Sequence, residues 1–143
     1  MFRLFVLFIV LLFNHSFVYA NEAKTKFCTS LKDCRDKYLG TSIHRKKINF
    51  LTDAIENYSS KLNENEKAEL YLERARSIVL EASGDTGYRG EIQLKVTHKP
   101  EYKNSQMQKA KSDLDLVIGL NQNLSESNKA KYREIYQLYE SSL

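Results

Sequence analysis

The sequence predicts an all-α fold of about five helices, stacked in antiparallel pairs as a small α-solenoid or bundle. Two observations lead to this fold class: apolar residues recur three and four positions apart from residue 27 onward, and polar capping residues precede most of these runs. The pattern breaks at residues 84–104, which hold three of the five glycines and the only proline. We expect an irregular insertion there.

Residues 1–20 have the features of a secretory signal peptide. Arg3 precedes the apolar run LFVLFIVLLF, polar residues follow it, and Val18 and Ala20 occupy the −3 and −1 positions of a cleavage site. An uncleaved N-terminal anchor is the alternative. We expect a single helical domain at residues 21–143, periplasmic or secreted, with no stable membrane span once the signal is removed.

The charge of the chain is mild and well mixed, with 22 basic and 18 acidic residues and a formal net charge of +4. Alternating charges are typical of solvated surface, so we expect no nucleic-acid partner. The one dense basic patch, residues 44–47, falls where a helix should begin. It is either a contact site for an anion or a solvated first turn.

The first predicted helix begins near Leu31 and is closed by Gly40. Ser30 and Asp33 stand in the S-x-x-D relation of a capping pair, which places the helix start just after Ser30. The apolar stripe consists of Phe27, Leu31, Cys34 and Tyr38.

This helix start bears on the two cysteines, Cys28 and Cys34. Inside one regular helix, six steps of about 1.5 Å would place them about 9 Å apart along the axis, too far for a bond. If the chain turns at residues 29–30, Cys28 can fold back over Cys34. An exported chain meets an oxidising environment, which favours a disulfide between the two cysteines. The alternative is that they remain reduced and act as two small apolar residues in a helix interface.

A second helix follows, for which Thr41 or Ser42 is the expected N-cap. Only the polar residues 63–66 separate it from the next helix, which is the length of an antiparallel helix hairpin. The residues at helical spacing are Lys47, Leu51, Ala54, Ile55, Tyr58 and Leu62.

The strongest helical pattern spans residues 66–83. Asn63 and Glu66 form a capping-box-like pair before it, and Gly84 stands at the C′ position after it. The stripe contains small residues that let a neighbouring helix approach closely. It consists of Ala68, Tyr71, Leu72, Ala75, Ile78, Val79 and Ala82.

Two further helices complete the fold after the insertion, whose alternating Ile92, Leu94 and Val96 could form a short strand. The fourth helix is expected at residues 106–121 and the fifth at residues 126–143. The expected caps are Asn104 or Ser105 for the fourth and Ser125 for the fifth. The two stripes are Met107, Ala110, Leu114, Val117 and Ile118, then Asn128, Tyr132, Ile135, Tyr136, Tyr139 and Leu143.

A weak repeat runs through these helices, because the segments that begin at Lys67 and Lys129 share a Lys-Ala pair followed by a tyrosine. Tyr71, Ala75 and Ile78 supply an aromatic, a small and a large apolar residue at spacings of four and three. In this pattern the chain resembles the first helix of the tetratricopeptide repeat family.

The following helix is similar to the second helix of that family, with Ala110, Leu114 and Val117 at successive packing positions. The resemblance covers residues 43–143. The chain departs from the family where Gln122 replaces the turn proline, and where residues 84–104 replace a tight turn.

The resemblance implies a concave groove that binds a peptide or another protein, with no chemistry of its own. We therefore expect an interaction module or assembly factor. The alternative is a secreted inhibitor or immunity-type protein that binds through residues 84–104. The candidate groove residues are Tyr71, Tyr132, Tyr136 and Tyr139.

No constellation typical of an enzyme is visible. After residue 20 the only histidines are His44 and His98, far apart in the chain, and no nucleophile or metal-ligand motif accompanies them. We expect no catalytic residue, no metal and no cofactor.

Overall fold

The computed structural model describes residues 26–90, 95–120 and 123–143, and the predicted signal peptide lies outside these ranges. The described residues contain one isolated antiparallel bridge, between Asp85 and Lys95, and no strand. The predicted all-α fold is confirmed. The helices are α1 (Leu31–Leu39), α2 (His44–Tyr58), α3 (Glu64–Ala82), α4 (Pro100–Gly119) and α5 (Glu126–Glu140), with a 3-10 turn at Ser59–Lys61.

Helix α3 is the centre of the fold and packs against α2, α4 and α5, while α1 packs on α2. Tyr102 at the start of α4 contacts Glu81 at the end of α3, and Asp113, further along α4, contacts Arg74, which lies earlier in α3. Helices α3 and α4 are therefore antiparallel. The short link from α2 to α3 likewise makes that pair an antiparallel hairpin.

Helix α5 instead runs parallel to α3. Lys131 pairs with Glu73, and Arg76 pairs with Glu134 one turn further along both helices. At the start of the two helices, the buried Asn128 donates from Nδ2 to the carbonyl oxygen of Asn65 at 3.0 Å. Of these contacts, the hydrogen bond of the buried Asn128 contributes most to fixing the register of α5 on α3.

Helix α3 contributes residues to two apolar clusters. The larger lies among α3, α4 and α5, and the smaller joins α1, α2 and α3. The predicted stripe of α3 faces the larger cluster. The smaller cluster is built from Cys28, Cys34, Tyr38, Leu51, Ala54, Ile55 and Leu70.

The predicted caps of α3 and α5 are confirmed. The Asn63 side chain accepts from the Glu66 amide while Glu66 accepts from the Asn63 amide, each at 3.0 Å, and Ser125 accepts from the Asn128 amide. Gly84 follows α3 with φ +89°. The cap expected for α2 is wrong, since Ile43 is its N-cap and no side chain caps the helix.

The irregular segment is shorter than predicted, ending at Lys99 instead of residue 104. Helix α4 begins at Pro100, whose fixed φ and missing N–H suit the first turn of a helix. The expected caps Asn104 and Ser105 therefore lie within the helix. Of the predicted alternating stretch, Ile92 and Leu94 lie outside the described residues.

Cys28 and Cys34 form a disulfide, as the position of the helix start allowed. The Ser30 side chain caps α1, so Cys28 precedes the helix, and the two Cα atoms are 5.2 Å apart. The Cys28 amide donates to Asp53 Oδ2 at 2.7 Å, which ties the bridge to α2. The disulfide therefore anchors the residues just before α1 to the smaller cluster.

A buried ion pair joins α3 to α4. Arg74 donates to both oxygens of Asp113, at 2.8 and 2.6 Å, and also to Thr52 of α2 at 3.2 Å. Burial raises the pKa of the Asp113 carboxyl, while Arg74 lowers it. Burial thus destabilises the charged form of the Asp113 carboxyl, and the Arg74 guanidinium offsets part of this cost.

None of the helices in the described ranges combines the length and apolar composition that a membrane crossing requires.

We predict that replacing both Cys28 and Cys34 by alanine lowers the free energy of unfolding by about 2 kcal/mol, because the bridge restricts a short loop of the unfolded chain. Denaturant unfolding of the wild-type chain and the double variant measures this difference. Titration of the denatured, unreduced chain should find no free thiol, and two free thiols would contradict the bridge.

We predict that Arg74→Met costs about 3 kcal/mol or more, because it leaves a buried carboxylate without its cation. The matched control is Arg74→Met with Asp113→Leu, which should recover most of this loss. The deficit of the single variant should shrink between about pH 7 and about pH 5, since its buried carboxyl takes up a proton more readily than in the unfolded chain. Equal deficits in both variants would contradict the role of the pair.

Candidate functional site

Three of the four candidate groove tyrosines come together on α5. The rings of Tyr132 and Tyr136 stack with their centroids 5.8 Å apart, and those of Tyr136 and Tyr139 lie 6.2 Å apart. Spacings of four and three residues place the three rings along one helix face. Tyr139 is buried in the larger cluster, whereas Tyr136 is 41% exposed.

The fourth candidate, Tyr71, occupies a different environment on α3. Its partly buried side chain packs against both apolar clusters, and the Arg74 guanidinium lies over its ring, 5.7 Å from the centroid. Tyr71 therefore contributes to packing between the clusters, and its ring contact is with Arg74 and not with the tyrosines of α5.

An open apolar pocket of about 230 Å³ lies between α4 and α5, next to these tyrosines. Ile118, which the sequence placed in the buried stripe, lines this pocket and is 49% exposed, whereas Leu116, 48% exposed, lines a separate hollow on α4. We call the residues that line the pocket, together with Tyr136, the α4–α5 surface. The pocket is lined by Val117, Ile118, Leu124, Lys129, Tyr132 and Arg133.

The phenol groups of this surface keep their protons at neutral pH. Burial raises the pKa of Tyr132, and a hydrogen bond with Glu140 raises the pKa of Tyr136. Across from them on α4, Lys111 pairs with Asp115 at 2.7 Å. The surface therefore offers neutral aromatic rings with hydroxyl groups, and cations at its edge.

A second cleft, of about 260 Å³, opens at the start of α2, and we call it the α2 cleft. The predicted basic patch contributes His44 and Lys47 to it, α3 contributes Arg76, and the irregular segment contributes Arg89. The full lining is Ser42, His44, Lys47, Glu73, Arg76, Ser77, Leu80 and Arg89.

His44 is only 6% exposed, and neither of its ring nitrogens has a hydrogen-bond partner. The nearest carboxylate oxygen, Oδ2 of Asp85, is 3.7 Å from Nε2, beyond hydrogen-bonding distance. Burial lowers the pKa of His44, an effect that Lys47 and Arg89 increase and Asp85 opposes. The imidazole is therefore neutral at pH 7.

The irregular segment is held against this end of the fold. The His44 amide donates to the Thr86 carbonyl at 3.1 Å, and a Cβ at Gly87, which has φ +72°, would overlap the Ser42 carbonyl oxygen. These contacts position Arg89 at the α2 cleft, a placement that no sequence spacing could indicate.

His98 contacts the C-terminal end of α3, outside the α2 cleft. Its Nε2 is 2.9 Å from the carbonyl oxygen of Glu81, and the Tyr102 hydroxyl donates to the Glu81 carboxylate at 2.9 Å. This clamp fixes the first turn of α4 on the last turn of α3. Within the described ranges, the polar and ring contacts of His98 are with Glu81 and Tyr102.

Cys28, Cys34 and Asp53 bring three potential metal-ligand atoms within 4.8 Å of one another. The sulfurs are bonded to each other, and Asp53 accepts hydrogen bonds from the Cys28 amide and from Asn57. With the disulfide formed, this group has no thiolate to offer a metal.

No known protein family, curated protein or solved structure matches this chain. The geometry of the α4–α5 surface and of the α2 cleft is therefore what indicates function.

We predict that stability falls as the pH decreases through about 6.5, because the unfolded chain protonates His44 more readily than the folded chain does. Denaturant midpoints at about pH 7.5 and about pH 5.5 measure this change. In His44→Gln the difference between the two midpoints should be smaller. An unchanged difference would show that other groups cause the acid sensitivity.

Proposed function

We propose that this chain is a protein-interaction module, without catalysis, that holds a segment of a partner protein on the α4–α5 surface. The observation that carries the proposal is the exposure of Ile118 in an open apolar pocket, beside the exposed ring of Tyr136, which stacks on Tyr132 of the pocket lining. Apolar exposure with charged residues at its rim is typical of interaction sites. Aromatic side chains are also enriched where proteins bind one another.

The chemistry of the pocket indicates the kind of segment that would fit. Its apolar floor suits one large apolar side chain, and Lys129 and Arg133 at the rim suit acidic residues beside it. Lys129 already pairs with Glu126 at 2.8 Å, but this exposed pair is weak and can rearrange. We infer a partner segment with an apolar anchor flanked by Asp or Glu.

The arrangement of α3, α4 and α5 supports a repeat architecture similar to that of tetratricopeptide proteins. Helix α4 is antiparallel to α3, and α5 is parallel to it, so α5 occupies the place of the first helix of a following unit. Helix pairs that stack as repeats place equivalent helices parallel and leave an extended surface for binding.

We infer that the mature chain works outside the cytoplasm, in the periplasm or after secretion. The Cys28–Cys34 disulfide supports this placement, because such bonds persist mainly in oxidising compartments. The apolar run at residues 4–13 supplies the export signal in this proposal.

A second candidate function is that of an exported inhibitor or immunity-type protein that binds through the irregular segment. It is favoured by the exposure of Tyr88 and Val96, which are 48% and 43% exposed. Gly87 is packed against Ser42 and His44 at the start of α2, and Gly84 is packed against Val96, so these two side chains project from a fixed base.

We predict that peptides selected by display on the purified chain carry a large apolar residue flanked by acidic residues. Ile118→Asp should weaken their binding by about tenfold or more, because it places a charge where the anchor is buried. Isothermal titration of one selected peptide against the wild-type chain and the variant measures the change.

Tyr88→Ser is the matched control, since it removes an exposed side chain from the irregular segment, and it should leave binding unchanged. Loss of binding in Tyr88→Ser but not in Ile118→Asp would favour the second candidate function. Absence of any saturable peptide would overturn the proposal.

A further inference from the structure

The α2 cleft shares no residue with the α4–α5 surface and has a different chemistry. Three cationic side chains line it: Lys47, Arg76 and Arg89. Its one lining carboxylate, Glu73, is paired with Lys131 at 2.8 Å. The cleft therefore carries an excess of positive charge at its wall.

The two arginines are not committed to strong pairs. Arg89 lies 3.4 Å from Asp85, and Arg76 lies 3.4 Å from Glu134, with about half of each arginine side chain exposed. Exposed pairs at such distances contribute little. Both guanidinium groups can therefore turn toward a ligand at small cost.

The cleft adjoins the start of a 15-residue helix that is open to an anion. Helix α2 has no acidic residue in its first turn, and its N-cap, Ile43, provides no side-chain hydrogen bond. The His44 amide is taken by Thr86, so the amides of the next residues carry the positive end of the helix dipole. Such a helix start attracts negative groups.

His44 supplies an independent sign of a ligand. A side chain that is only 8% exposed normally has its polar atoms paired, yet both ring nitrogens of His44 lack a hydrogen-bond partner. The imidazole lines the cleft, so a group bound there could accept a hydrogen bond from it. An acceptor bound in the cleft would pair the ring nitrogen that carries the proton.

We propose that the α2 cleft binds a tetrahedral oxyanion of the phosphate or sulfate class, either free or as a monoester. Arg76 and Arg89 present planar donor forks to its oxygens, and Lys47 adds a point charge. His44 donates one hydrogen bond from the buried wall. The cavity of about 260 Å³ admits one such group, and so suits a small anion instead of an extended nucleic-acid backbone.

Isothermal titration of the purified chain with inorganic phosphate tests this assignment, with sulfate and glycerol phosphate titrated in parallel. Chloride at matched ionic strength is the control for simple screening. Saturable binding is expected, and Lys47→Gln and Arg89→Gln should each weaken it by about tenfold. Tighter binding of the monoester would show that the cleft also contacts the esterified group, and equal binding would show that it recognises the tetrahedral anion alone.

Arg133→Gln is the matched charge control, because Arg133 lies at the other pocket, and it should leave phosphate binding unchanged. Binding should also raise the pKa of His44, measured from its imidazole resonance, since a bound anion stabilises the imidazolium beside Asp85, Lys47, Arg76 and Arg89. Phosphate binding that is lost equally in Arg133→Gln, or that saturates nowhere below about 10 mM, would overturn the proposal. Neither result would bear on peptide binding at the α4–α5 surface.

Discussion

Burial of α3 on two sides is the constraint on which the rest of the structure depends. One side carries small residues such as Ala75 and Ala82, which allow close packing with α4 and α5. The other side inserts Leu70 between α1 and α2. Because α3 completes both apolar clusters, neither half of the chain has a full core without it, and we expect the five helices to unfold together.

Much of this arrangement could be predicted because its causes are local. The stripe of α3, the Asn63–Glu66 capping box and the turn before Leu31 that permits the disulfide all depend on residues a few positions apart. The second buried face of α3 could not be predicted, since it mixes Leu70 with polar residues whose partners are distant in sequence. Glu81, for example, is buried because Tyr102 of α4 reaches it.

The two candidate surfaces were only partly predictable for the same reason. Helical spacing alone brings Tyr132, Tyr136 and Tyr139 into one row, whereas the neighbouring pocket requires α4 to turn Ile118 outward. The basic patch at residues 44–47 was visible as a charge pattern. Its part in the α2 cleft depends on Arg76 and Arg89, which the fold brings to His44 and Lys47 from 29 to 45 positions further along the chain.

The irregular segment leaves and rejoins the helical body at nearly one point. The Val96 amide donates to the Gly84 carbonyl at 3.0 Å, and a Cβ at Gly84 would overlap the Val96 carbonyl oxygen, so the two ends are held together independently of what lies between them. A chain closed in this way can be lengthened with little entropic cost. It is thus a natural position at which a reporter domain could be inserted while the helices keep their places.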